Sequence, residues 1–161
     1  MKKSLALIAF APLLLGAKYV EPSENYATVE FTQSGNPQAT FHRNGKDCSG
    51  METLPGQPFY FTASAGPLKV PAGQPVAFKL FQFKGMMALG NGLNEIRGCH
   101  VATSFTPAAG ATYRVDLNGV DCRVDVFGKS TDGTESPAAD ARVRIVKPPF
   151  FPSGPFCKAD G

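Results

Sequence analysis

Alternating apolar and polar residues along most of the chain predict short β-strands separated by turns. In Ala27–Thr32 three apolar residues alternate with Thr and Glu, the period of two expected of a half-buried strand. Ala39–Arg43 is predicted to return as a second strand before Asn44-Gly45, a dipeptide that favours a tight type I′ hairpin. Val76–Phe83 is the longest apolar strand candidate. Because both of its faces are apolar, it is expected to be central in a sandwich or covered on its outer side.

The clearest alternation lies in three consecutive segments after residue 98. Their apolar-side residues are Cys99, Val101, Thr103 and Phe105, then Ala111, Tyr113, Val115 and Leu117, then Val120, Cys122, Val124 and Val126. Turns at Pro107–Gly110 and Asn118-Gly119 connect the segments, so the pattern predicts a three-stranded meander. A last strand is predicted at Ala141–Ile145, followed by a proline-rich tail at residues 147–161. About eight short strands predict an all-β fold, either a β-sandwich or a small barrel.

Residues 84–98 are predicted to form a long loop, because four glycines make a helix unfavourable there. Apolar residues in this loop and in the strand before it form a candidate contact surface. Its members are Phe81, Phe83, Met86, Met87, Leu89 and Leu93. Either the loop folds over the sheet and caps the core, or these side chains bind another envelope protein, a peptide or a lipid.

The N-terminus has the three parts of a secretory signal peptide, namely Lys2 and Lys3, an apolar run over Leu5–Leu15, and the small residues Gly16-Ala17. The run is shorter than the roughly 20 residues that span a bilayer. The alternative is a buried first helix of the folded protein, but the run lacks the 3.6-residue period of an amphipathic helix. We therefore predict export, with no stable membrane span after the signal is removed.

The predicted division of the chain is a signal peptide at 1–17, a linker at 18–26 and a single β-domain at 27–161. Leu14–Ala17 resembles the processing site of bacterial lipoproteins, except that Ala17 replaces the cysteine that accepts the lipid. Cleavage after Ala17 without lipidation is therefore expected, and the protein is predicted to be periplasmic or secreted rather than an outer-membrane lipoprotein.

The 161-residue chain has a formal net charge of +3, and two of its positive charges belong to the predicted signal. A nearly neutral body has no basic stripe, which argues against nucleic-acid binding. Only 18% of the residues are charged, whereas 17 glycines and 14 prolines suit short strands joined by turns.

Four cysteines, Cys48, Cys99, Cys122 and Cys157, allow three disulfide pairings in an exported protein. The alternative is a zinc site, but the cysteines lack the close spacing that is typical of zinc ligands. We favour Cys99–Cys122, with Cys48–Cys157 holding the tail. In a flat meander Cys99 and Cys122 would lie about 10 Å apart, whereas a disulfide needs Cα atoms within about 7 Å. The strand of Cys99 must therefore cross to the facing sheet.

No pattern for catalysis or cofactor binding stands out. His42 and His100 are predicted on the outward faces of their strands, where a shared metal site is not expected. Asp116–Asp121 resembles the start of a calcium loop, but its twelfth position is Phe127 instead of the required Glu. Serine-nucleophile and dinucleotide motifs are missing from the sequence. The sequence thus predicts a non-enzyme without cofactors.

Residues 70–127 resemble a loose group of small exported bacterial proteins, many of them lipoproteins. The shared features are a Cys at position 99, Phe105-Thr106-Pro107, Gly110 and Tyr113, and a second Cys at position 122 followed by alternating valines. The resemblance implies an envelope protein with an immunoglobulin-like or transthyretin-like β-sandwich, and it transfers no catalytic residue.

The expected function is that of an exported, non-catalytic envelope protein that binds a protein or another ligand. A first alternative is an inhibitor of an external protease or lysozyme, in which residues 85–98 form the reactive loop. A second alternative, a secreted hydrolase, would need converging acidic or Ser and His groups that the sequence does not reveal.

Overall fold

The computed structural model describes residues 17–35, 37–53, 66–88, 94–147 and 154–158. These residues form β-strands in two sheets, and none of the described segments is a helix that could cross a membrane. The strands are β1 (Ala17–Lys18), β2 (Tyr26–Ser34), β3 (Gln38–Asn44), β4 (Ser49–Thr53), β5 (Leu68–Pro71), β6 (Val76–Ala88), β7 (Asn94–Phe105), β8 (Thr112–Asn118), β9 (Arg123–Lys129), β10 (Glu135–Pro137) and β11 (Arg142–Arg144). The predicted all-β sandwich with two disulfides is confirmed.

The strand order is β1-β4-β3-β6-β7-β11 in the first sheet, called sheet A, and β10-β9-β8-β2-β5 in the second, called sheet B. Most neighbouring strands are antiparallel, but β2 pairs with β8 and β1 with β4 in parallel. The Oγ1 atom of Thr103 on β7 donates a 2.7 Å hydrogen bond to the carbonyl of Val124 on β9. This bond links the two sheets across the interior.

Aromatic side chains from both sheets meet in the core around Phe78, which is fully buried. Its ring centroid lies 5.5 Å from Phe41, 5.4 Å from Phe31 and 6.3 Å from Phe105. Val29 from β2 and the other buried apolar residues fill the rest of the core. Since burying one such side chain contributes about 1.5–3 kcal/mol, this cluster is a main source of stability.

The prediction that the three strands form a meander within a single sheet is wrong. β8 and β9 pair in sheet B, but β7 lies in sheet A between β6 and β11. The Cys99–Cys122 disulfide therefore joins the two sheets, with its Cα atoms 5.9 Å apart. The strand of Cys99 lies in the facing sheet, as a Cys99–Cys122 bond requires. Both favoured disulfides are present.

The two Asn-Gly turns differ from the predicted two-residue hairpins in the same way. Each has four residues, 45–48 between β3 and β4 and 119–122 between β8 and β9. Each turn ends in a cysteine at positive φ, 54° for Cys48 and 56° for Cys122. The prediction missed that both segments read Asn-Gly-x-Asp-Cys, a repeat that indicates a shared turn geometry. As a result Val120, predicted to face inward, is exposed.

Part of the outer face of sheet A is covered by the C-terminal segment 154–158. Cys157 is bonded to Cys48, and these two residues pack with Ala77 and Ala102 in a second, smaller buried cluster. The backbone amide of Cys157 also donates a 2.9 Å hydrogen bond to the carbonyl of Asp47. The outer face of β6 was expected to be covered. Over this part of the sheet, the C-terminal segment of the same chain covers it.

The predicted signal peptide lies outside the described residues, except for Ala17. Ala17 and Lys18 pair with β4, and the next residue, Tyr19, is 6% exposed. The Tyr19 ring packs edge-on against Phe41, with the ring centroids 5.8 Å apart. The first part of the predicted linker therefore contributes to the core.

Candidate functional site

The hairpin of β6 and β7 extends beyond the strands on either side of it. The two strands pair from Val76 and Phe105 to Ala88 and Asn94. Pairing with β3 ends at Phe81, and pairing with β11 ends at Ala102. Residues 82–88 and 94–99 thus form a two-stranded extension, which we call the arm.

The arm replaces the long loop predicted for residues 84–98, although its connection at 89–93 lies outside the described residues. Glycine weakens a helix, but here two glycines serve the hairpin. Gly85 has a φ of 140° next to a β-bulge between Phe83 and Gly85. Gly98 lies under the Phe81 ring, with which a Cβ atom would overlap. The prediction of a loop was wrong because strand pairing outweighs the low intrinsic propensity of glycine.

The base of the arm is fixed to the turn between β8 and β9. Cys99 on β7 is bonded to Cys122 in that turn. Lys84, the extra residue of the bulge, donates hydrogen bonds of 3.0 Å from Nζ to the carbonyls of Gly119 and Val120. The side chain of Gln82 also lies against Gly119. A covalent bond and two hydrogen bonds from Lys84 therefore hold the arm in place relative to sheet B.

Three residues of the predicted contact surface share the outer face of the arm. Phe81 pairs with His100 and stacks on its ring at 4.6 Å between centroids. Phe83 lies two residues further on the same face, and the register across the bulge returns Met86 to that face. Phe83 is 50% exposed and Met86 66% exposed. We call Phe81, Phe83 and Met86 the arm face.

The remaining predicted contact residues are not part of this face. Met87 is half-buried on the opposite side, where the Arg97 Nη2 atom lies 2.9 Å from its sulfur. Leu89 and Leu93 lie outside the described residues. The structure thus brings three of the six residues together, and the alternative that all of them cap the core does not hold for Phe83 and Met86.

The two predicted surface histidines have different surroundings. His100 is exposed, as expected, whereas His42 is fully buried. Thr40 Oγ1 lies 3.1 Å from Nε2 of His42, and the Phe156 ring centroid lies 5.2 Å from its imidazole. Burial, followed by the charge of Lys79, lowers the pKa of His42 to about 4. The prediction failed because the strand pattern does not reveal that the tail covers this face.

A polar cleft of about 560 Å³ opens at the end of the sandwich opposite the arm. Two basic residues, Lys46 and Arg142, and two acidic residues, Asp47 and Asp140, line it together with Ser104 and others. Asp140 Oδ2 accepts a 2.7 Å hydrogen bond from the backbone amide of Thr106. The mixed charges give the cleft no preference for ligands of one sign.

The resemblance of Asp116–Asp121 to a calcium loop has a structural explanation. The backbone amide of Asp121 donates to Asn118 Oδ1 at 2.9 Å, and Asn118 Nδ2 donates to Asp121 Oδ2 at 2.9 Å. These bonds stabilise the turn between β8 and β9. Within the described ranges, no three His, Cys, Asp or Glu side chains are grouped as metal ligands would be.

Comparison with known proteins identifies no relative, since no family model, curated protein or solved structure matches the chain significantly. The arm face, with its exposed apolar residues on a fixed two-stranded arm, is the strongest candidate site among the described residues.

Proposed function

We propose that this chain is an exported, non-catalytic binding protein that contacts another protein of the same compartment through the arm face. The observation that carries the proposal is the exposure of Phe83 and Met86 on an arm whose base is held by the Cys99–Cys122 disulfide. Aromatic and methionine side chains are enriched at the centres of protein interfaces. An arm that is already ordered loses little conformational entropy on binding.

The cysteines indicate the compartment. All four are in disulfides, and such bonds are typical of proteins in an oxidising environment such as the periplasm or the extracellular space. The signal peptide and cleavage after Ala17 belong to the proposal. N-terminal sequencing of the exported protein tests them, and Lys18 is the expected first residue. A retained N-terminus or a lipidated one would contradict this part.

The contact is tested by replacing one residue at a time with the photocrosslinker p-benzoylphenylalanine in the exporting cell. Positions 83 and 86 are expected to give a discrete adduct whose mass exceeds that of the chain and differs from twice that mass. Val143, which is 73% exposed on β11, is the matched control position. The substitution Met86→Ser should weaken the adduct formed from position 83 without changing the free energy of unfolding by more than about 0.5 kcal/mol.

Two results would contradict the proposed contact. Positions 83 and 86 could give no adduct, or position 143 could give the same adduct with the same yield. The Met86→Ser result also bears on the core-capping alternative, since a loss of stability of about 2 kcal/mol or more would place Met86 in the core.

The inhibitor alternative remains a second candidate, because the arm projects from the sandwich with its base cross-linked, as a rigid reactive segment would require. It predicts stoichiometric inhibition of a lysozyme or a serine protease by the purified protein. The double variant Cys99→Ser/Cys122→Ser should lose that inhibition. Full enzyme activity in the presence of excess wild-type protein would reject this alternative.

A further inference from the structure

The two disulfides differ in their exposure to solvent. Cys48 and Cys157 are 0% and 2% exposed and lie in the second buried cluster. Cys99 and Cys122 are only partly buried, and Val120, in the same turn as Cys122, is 66% exposed. A disulfide is broken by a thiolate that approaches one of its sulfur atoms directly, so access governs the rate of the reaction. The Cys99–Cys122 bond is therefore the more accessible of the two.

The Cys99–Cys122 bond also lies outside the strand ladders that hold the sandwich together. Cys99 is at the inner end of the arm, beyond the residues of β7 that pair with β11. Cys122 is the last residue of the turn before β9. Breaking this bond leaves the pairing of β6 with β7 and of β8 with β9 in place.

Cys157, in contrast, is held by more than its disulfide. Its backbone amide donates a 2.9 Å hydrogen bond to the carbonyl of Asp47, and it forms a β-bridge with Val146. A thiol reaches the Cys48–Cys157 sulfurs when the tail leaves sheet A and exposes the second buried cluster. This bond is therefore reduced from an opened form, whose population depends on the stability of that region.

Once the Cys99–Cys122 bond is broken, the base of the arm keeps the hydrogen bonds from Lys84 to the carbonyls of Gly119 and Val120. Lys84 is exposed, so water competes for both bonds, and their net contribution is small compared with that of a covalent link. The arm then loses its fixed position relative to sheet B. Its two strands still pair with each other, but an isolated two-stranded hairpin is only marginally stable.

We propose that Cys99–Cys122 is a thiol–disulfide exchange site, whose reduction by a dithiol protein of the same compartment releases the base of the arm. A thiolate of the dithiol attacks one sulfur of the pair, forms a mixed disulfide and displaces the other cysteine as a thiolate. The second thiol of the reductant then breaks the mixed disulfide. The dithiol supplies two electrons and two protons, so this chain gains two thiols and the reductant leaves as a disulfide.

The exchange site regulates the arm face, a consequence that rests on the proposed function. With the bond closed, the arm is ordered before its partner binds. With the bond open, binding must also order the arm relative to the sandwich, and this loss of conformational entropy weakens the contact. The oxidised protein is therefore the binding form.

Reduction of the folded, full exported protein followed by alkylation tests the site. The protein is incubated with dithiothreitol at about pH 8, quenched with N-ethylmaleimide at intervals, and analysed by peptide mass spectrometry. Cys99 and Cys122 should be labelled at least about tenfold faster than Cys48 and Cys157, which serve as the internal control. Urea below the unfolding transition should accelerate only the slower pair, because that pair reacts from an opened form. Equal rates, the reverse order, or an acceleration of the Cys99–Cys122 reaction by urea would overturn the inference.

Hydrogen exchange of the selectively reduced protein measures the release of the arm. Amides of residues 82–88 should exchange at least about tenfold faster than in the oxidised protein, while those of β8 keep their protection. Unchanged exchange in the arm would show that reduction does not release it, which would also overturn the inference.

The regulation of the contact is tested in the exporting cell. The double variant Cys99→Ser/Cys122→Ser should lower the yield of the photocrosslinked adduct from position 83 at least about threefold at equal protein level. An undiminished yield would contradict the regulation. If position 83 gives no adduct even with the disulfide intact, the proposed function fails, whereas the exchange site is decided by the alkylation and hydrogen-exchange results. The two proposals can therefore fail separately.

Discussion

The ammonium nitrogen of Lys79 lies 4.2 Å from the centroid of the Phe156 ring. Lys79 is on the outer face of β6, and Phe156 reaches it from the tail because the next residue, Cys157, is bonded to Cys48. Burial lowers the pKa of Lys79, and a cation over an aromatic face recovers part of that cost. The tail therefore covers part of the outer face of sheet A, where the second buried cluster lies.

Removing the Phe156 ring should uncover this second cluster. We expect Phe156→Ala to lower the free energy of unfolding by about 2 kcal/mol, a value below that of a fully buried Phe because the ring is only half-buried. The pKa of His42 should rise from about 4 toward 6.5, because water then reaches its imidazole. Denaturant titration and an NMR titration of His42 measure the two effects. Phe83→Ala, on the exposed arm, is the control and should cost less than about 0.5 kcal/mol; equal costs would contradict the different environments of these rings.

The stability of the protein should fall as the pH is lowered from about 6.5 toward 4. The pKa of His42 is about 4 in the folded protein and 6.5 when unperturbed, so between these values the unfolded chain binds the additional proton. The folded state is then disfavoured by about 2 kcal/mol at pH 5 relative to pH 7.

Urea unfolding at pH 7 and pH 5 measures this loss. His42→Gln, which keeps a hydrogen-bonding group near Thr40, should remove most of the difference between the two pH values. His100→Gln is the control and should retain most of it, because His100 is exposed. An acid loss that is unchanged in His42→Gln would show that other groups cause it.

The two disulfides should contribute unequally to stability. The Cys48–Cys157 bond spans 109 residues and the Cys99–Cys122 bond spans 23. From loop entropy the longer one contributes about 5 kcal/mol and the shorter one about 3 kcal/mol. Paired Cys→Ser variants, compared by denaturant unfolding, test the order.

Hydrogen exchange distinguishes the local effects of the same variants. Loss of the Cys99–Cys122 bond should increase amide exchange in the arm, whereas loss of Cys48–Cys157 should leave the arm amides protected. The reverse pattern would contradict the role of Cys99–Cys122 as the anchor of the arm.

Gly119, in the turn at the base of the arm, is a position where an added side chain would be crowded. A Cβ atom there would overlap the Gln82 side chain and lie 3.1 Å from the carbonyl oxygen of Ser34. Gly119→Ala should therefore destabilise the protein by about 1–3 kcal/mol in thermal or denaturant unfolding. Gly128→Ala is the matched control, because its nearest neighbour would be 3.9 Å away. Equal effects of the two substitutions would contradict close packing at Gly119.

Much of the sandwich could be predicted from local alternation. Val115, Leu117, Val124 and Val126 were expected to face inward, and all four are buried. Such predictions succeed because consecutive side chains of a strand point to opposite sides wherever that strand is placed. The disulfide between Cys99 and Cys122 was favoured among three possible pairings, with the condition that the strand of Cys99 leaves the sheet of Cys122.

The arm and the buried environment of His42 could not be predicted in this way. The glycines of residues 84–98 indicate a loop when judged by propensity, yet Gly85 allows the bulge and Gly98 makes room for the Phe81 ring. His42 has the position of an outward-facing residue, and only the tail buries it. Both results depend on contacts between residues far apart in the chain.

The sequence by itself determined most of the strand pattern, the even number of cysteines that indicates disulfides, and the apolar character of the residues around Met86. Each of these follows from side-chain chemistry or from geometry within a few residues. The tertiary structure decided which sheet receives β7, that residues 82–88 and 94–99 form an exposed arm, and that the tail covers His42 and Lys79. The physical reason is that strand pairing and covering contacts join segments from across the chain, so their energies are not encoded in any one local pattern.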